Sequence, residues 1–115
     1  MILEGEKTHQ AAWTELTTSL GEKFADGDVL SMEAVLFLIG VNELGEGFRR
    51  FSKDEKMELV HIAVCVLLSQ EGYYRIIGKD DRGWPVWENI KPLPELTGVP
   101  QEKWIQELAV KYFEP

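Results

Sequence analysis

The chain contains a single cysteine, so no intramolecular disulfide can staple it, and no apolar run approaches the roughly 20 residues that a membrane-spanning helix needs. Its longest apolar stretch, Leu59 to Leu68, is interrupted by His61. Basic residues are also scarce: 12 Lys and Arg stand against 20 Asp and Glu, a net charge of -8. That balance favours solubility and works against general binding to nucleic acid or to an anionic membrane surface. The start, "MILEGEKTHQ", has neither the basic n-region nor the apolar h-region of a secretory leader, so a cytoplasmic location is expected. Internal repeats, low-complexity segments and linkers are absent. So are the nucleotide loops: there is no Walker sequence, and "GEGFRR" lacks the third glycine of a dinucleotide fingerprint and follows a helical pattern, not a strand.

What is present fits one domain, residues 1 to 115, long enough to bury a real core. A first helix is expected from about Thr8 to Leu20, with Trp13, Leu16 and Leu20 on one stripe. Ser31 can cap a second helix, "MEAVLFLIGVNEL", which stops at Gly45. The third has the clearest start, because Ser52 and Glu55 form an S-x-x-E capping box; Gly72 suits its left-handed end. "YYRIIGKDDRGWPVWENI" then reads as a hairpin, strands Tyr73 to Ile77 and Trp84 to Ile90, with Pro85 confining its strand to an edge. A two-stranded hairpin is marginal alone, so it should lie against the helices. Pro100 suits the first position of a last helix that carries Trp104, Ile105, Leu108, Ala109 and Tyr112 on one face. The fold class is α+β, predominantly α, with about four helices and the hairpin between the third and the last.

Three constellations could carry chemistry. On the third helix the apolar residues cover an arc of roughly 200°, about twice an ordinary core-facing stripe, which makes it central. Glu58, His61 and Cys65 share the remaining sector. Glu58-x-x-His61 has the spacing of a carboxylate-bundle metal site, repeated by Glu6 and His9 in "EKTH", and His61 is within helical reach of the Cys65 thiol. A metal enzyme needs carboxylates from two further helices, and a thiolate needs a third group to orient the imidazole. Neither is evident, so no catalytic residue, metal ligand or cofactor is assigned, and Cys65 is read as core.

The second constellation, Arg49, Arg50, Lys53 and Lys56, flanks the start of the third helix and is a candidate contact for an anion or an acidic partner; the alternative is a solvated loop paired with Asp54, Glu55 and Glu58. The third is the aromatic hairpin, where Trp84 and Trp87 are candidate interface residues, or else core. Three helices followed by a hairpin is also the order of a winged helix, with Arg75, Lys79 and Arg82 on the wing. A recognition helix must present polar side chains to a groove, whereas the third helix is largely apolar.

"FLIGVNELGEGFRRFSKDEKMELVHIAVCVLLSQEGYY", residues 37 to 74, resembles a family of small bacterial proteins with no assigned activity. The likeness covers about a third of the chain and implies no functional residue. The function expected from the residues is a non-enzymatic interaction or scaffolding module, a homodimer and/or a binder of another cytoplasmic protein. Nucleic-acid binding through the hairpin and basic loop, and metal chemistry on Glu58 and His61, are the alternatives. Two nearly all-apolar helices leave more surface than the other elements can cover, which places the dimer contact on the second helix around Gly40 or on the hairpin around Trp84 and Trp87.

Overall fold

Side-chain caps begin three of the four helices in the computed structural model, which describes residues 8 to 114. Thr8 accepts from the Ala11 N–H and opens α1, His9–Phe24. Ser31 accepts from the Ala34 N–H and opens α2, Met32–Leu44, which Gly45 ends in the left-handed conformation at φ 77°. Ser52 and Glu55 exchange both bonds of the capping box, at 3.1 and 2.9 Å, to open α3, Lys53–Ser69. Past its end the Gly72 N–H donates to Ser69 O and the Tyr73 N–H to Leu68 O, with Gly72 at φ 80°. These are the paired bonds of a Schellman motif, and they turn the chain directly into the hairpin.

Strands β1, Tyr74–Lys79, and β2, Pro85–Asn89, pair antiparallel, with a bulge between Ile76 and Gly78. Pro85 stands opposite Lys79 at the start of β2. Every strand of a two-stranded sheet is an edge, so the missing N–H costs little there. The last helix, α4, is Gly98–Phe113. The molecule is thus an α+β fold, mainly helical, with its hairpin between α3 and α4.

Several boundaries differ from the sequence expectation: β1 starts one residue later and ends two residues later than Tyr73 to Ile77, and β2 is one residue shorter at each end than Trp84 to Ile90. Helix α1 continues a turn beyond Leu20, because Gly21 serves a close approach and does not stop the helix: a Cβ there would lie 1.8 Å from Asp28 O. The turn then follows at Asp26 and Gly27, both with positive φ, within the stretch "ADGDVLS" that reads as a turn in the sequence. Pro100 lies within the first turn of α4 and not at its first residue. Its missing N–H is harmless there as well, since first-turn donors have no partner within the helix.

The core sits where α2 and α3 cross. Gly40 has no room for a side chain, since a Cβ would meet Leu59 O at 2.2 Å. Around this crossing Val35, Ile39, Leu59, Ala63 and Leu67 are fully buried. Leu108 and Ala109 of α4, Leu20 of α1, Phe51 and Trp84 complete the layer. The close approach permitted by Gly40 is therefore spent inside the chain, and the expected use of Gly40 at a dimer contact gives way to that packing.

Candidate functional site

Along α3, Glu58, His61 and Cys65 do fall near one another, but each is engaged differently. Both Glu58 oxygens accept from Arg82 of the hairpin loop, at 3.1 and 2.6 Å. Arg82 also bonds Asp80 and lies 4.3 Å over the Trp84 ring. Glu58 is thus one end of a clasp between helix and hairpin. The His61 Nε2 stands 3.6 Å from Cys65 Sγ, yet the thiol is 1% exposed and its burial pushes it up to about 11. An activated thiolate requires a shift in the other direction. His9, the second histidine of the repeated spacing, bonds Gln106 of α4 at 3.0 Å; Glu6 lies outside the described residues. Among the described residues no cluster of three His, Cys, Asp or Glu could hold a metal ion.

The basic group divides. Arg49 is structural: its guanidinium bonds Glu46, Glu55 and the Arg50 carbonyl and lies 4.2 Å over Phe51. Arg50, Lys53 and Lys56 are exposed, and none is ion-paired among the described residues. The expected partner Glu58 is held by Arg82 instead.

The hairpin aromatics divide as well. Trp84 is 2% exposed and belongs to the core. Trp87 is half-buried, and its indole N–H is enclosed without a hydrogen-bond partner. Tyr73 meets Trp104 of α4 edge-on at 5.6 Å, which ties the hairpin to the last helix. Of the wing cations, Arg75 pairs with Glu88 and Arg82 with Glu58 and Asp80. Lys79, the third of them, is exposed and has no ion pair among the described residues.

The described residues form several concave regions, one of about 530 Å³ between His9 of α1 and Gln106 of α4 among them. A cavity of about 730 Å³ lies between α2, α3 and the start of α4, walled mainly by apolar residues, with His61 and Glu102 among its polar groups. An open groove of about 630 Å³ runs between the N-terminal halves of α2 and α3, with Phe37, Met57 and Val60 as walls and Lys53 and Lys56 on its rim. A pair of hollows lies on either side of the Phe24 and Phe48 rings, which touch at 5.6 Å. These rings are 53% and 63% exposed, and Phe113 beside them is 36% exposed.

No known family's profile, curated protein or solved structure matches this chain. Functional reading therefore rests on the geometry alone. Sequence reasoning missed the exposure of Phe24, Phe48 and Met57, which the fold leaves outside along with other apolar side chains such as Val29, Val99 and the hairpin residues Ile76 and Ile77. For Phe48 there was a signal, since "GEGFRR" surrounds it with glycine and charge. For Phe24 and Met57 there was none, because each occupies a helical position that fits a core stripe as well as a surface.

Proposed function

We propose that the chain is a non-enzymatic interaction module that self-associates. The observation that carries this reading is the exposed Phe24 and Phe48 pair with Phe113 at its side. Taking about 200 Å² for a whole phenylalanine, the three expose on the order of 300 Å². Burying such a patch gains about 25 cal/mol per Å², so leaving it in water forgoes several kcal/mol. A second copy is the occupant that fits, because a two-fold homodimer, the commonest assembly of a small soluble protein, sets the same apolar patch of both chains face to face. The face lies beside α2, whose Leu38 lines both hollows. Of the contacts expected around Gly40, Trp84 and Trp87, Gly40 and Trp84 are used within the chain, whereas Trp87 is half-buried.

Light scattering on the purified chain at micromolar concentration is the test. The mass expected is twice 13.2 kDa, falling to one chain in the Phe24→Ser/Phe48→Ser variant. A wild-type mass of one chain that does not change on concentration sinks the reading.

A further inference from the structure

Lys53 and Lys56 stand on the rim of an apolar groove in a chain with a net charge of -8. Nearby cations are neutralised at close range, Arg49 by Glu46 and Glu55 and Arg82 by Glu58 and Asp80. The two lysines have no ion pair among the described residues, although acidic side chains outnumber basic ones along the sequence. Beside them Met57 is 64% exposed, and Ala34, Phe37 and Val60 are half-buried in the walls.

We propose that this groove docks an acidic amphipathic helical segment of another protein, laying its apolar stripe on Phe37, Met57 and Val60 and its carboxylates against Lys53 and Lys56. Three observations favour that occupant. The groove is about 630 Å³ and open, with the apolar wall residue Met57 standing in solvent, which suits a helix laid along it better than a small molecule enclosed by it. Lys53 to Val60 span about 10 Å of helix, close to two turns of an incoming helix at 1.5 Å per residue. Methionine adapts its shape to the apolar side chains it meets, which suits a wall receiving side chains from another molecule. Glu33 also lines the groove, on the α2 side, and calls for a basic or neutral residue at that point of the segment. A second copy is the weaker candidate here, because apolar association does not require the lysines. The inference rests on reading the chain as an interaction module, and its groove adjoins the phenylalanine face, sharing Ala34 and Phe37 with the hollow beside Phe24 and Phe48.

The test is fluorescence anisotropy with a labelled synthetic helical peptide carrying leucines on one face and glutamates on the other, and with its lysine-for-glutamate counterpart. The acidic peptide is expected to bind despite the like charge of the whole chain, and the lysine peptide to bind more weakly. Lys53→Glu/Lys56→Glu should weaken binding by about tenfold or more, as expected for close charge pairs, and Met57→Asp should do the same. Lys79→Glu/Lys103→Glu changes the net charge equally but lies outside the groove, and should leave affinity within about twofold. The Phe24→Ser/Phe48→Ser chain should bind as the wild type does, which separates this inference from self-association. No binding of the acidic peptide, equal binding of the lysine peptide, or an equal loss in the Lys79/Lys103 control would overturn the proposal. So would a Lys53→Glu/Lys56→Glu chain that binds the peptide unchanged but no longer self-associates, since the groove would then belong to the dimer.

Discussion

Cys65 shows how a residue's chemistry follows from its surroundings. A histidine 3.6 Å away would favour the thiolate, but burial opposes it, and the thiol is pushed up from 9.0 to about 11. The unfolded thiol therefore ionises first as pH rises, so folded-state stability should decline between pH 9.0 and about 11, and the slope should be shallower in Cys65→Ala, leaving the part from Tyr112, whose phenol is raised from 10.0 to about 12 by burial. Alkylating reagents should label Cys65 only after unfolding; fast labelling of the native chain near neutral pH would contradict this account. Gly40 makes a steric counterpart. Ala at this position would put a methyl 2.2 Å from the Leu59 carbonyl, where backbone and not a flexible side chain must give way. Gly40→Ala should cost about 1–3 kcal/mol by overpacking, read from the urea midpoint. A midpoint equal to the wild type would mean that α2 and α3 can separate without loss.

Elements are fixed mainly by their ends. Helix α3 is short of intrinsic propensity in its β-branched stretch, and its start is secured by the reciprocal bonds of Ser52 and Glu55. Ser52→Ala should destabilise by about 1 kcal/mol while leaving self-association intact. The Ser52 N–H holds the Glu55 carboxyl below its ordinary range, helped by Arg49. A carboxyl lowered in the folded state contributes stability above its unfolded value, and that contribution disappears as pH falls through the folded one. Acid titration of Glu55→Gln should accordingly show a shallower loss of stability than the wild type; an identical acid limb would mean that the cap does not titrate with folding. At the other end of the same helix, the Schellman bonds of Gly72 and Tyr73 set the angle at which the hairpin leaves, and the Arg82 clasp on Glu58 and Asp80 fixes its loop back onto α3. Exposed pairs of this kind contribute little energy singly, so their role is to hold orientation.

At the scale of the whole molecule, the apolar content exceeds what the chain covers. Helix α3 packs against α2, α4 and the hairpin, but its N-terminal half shares an open groove with α2, and the α2 surface around Phe37 and Leu38 opens into hollows on two sides. If a second copy covers the Phe24 and Phe48 face, mass action should raise the thermal midpoint as protein concentration increases, and the Phe24→Ser/Phe48→Ser variant should lose that dependence. A midpoint independent of concentration in the wild type would speak for a monomer. No helix among the described residues is long and apolar enough to cross a membrane, so the exposed phenylalanines are not part of a spanning segment.

The order of elements, the caps at Ser31 and Ser52, the stops at Gly45 and Gly72 and the central place of α3 were legible in the sequence, because each depends on residues within a turn or two of one another. Burial was legible only as an average. Trp84 and Phe48 are both large, apolar and set beside glycine, yet one is 2% exposed and the other 63%. That difference depends on whether an element distant in sequence happens to lie over the side chain. The same holds for the basic cluster: its spacing was visible, but the division into a clamped Arg49 and unpaired Lys53 and Lys56 followed from Arg82 taking Glu58 across 24 residues of chain. Local sequence determined which segments became helix, strand or turn, since hydrogen-bonded caps and glycine conformations are settled within the segment. Only the tertiary structure decided which apolar and charged groups were left without partners, because partnership is a property of two segments at once.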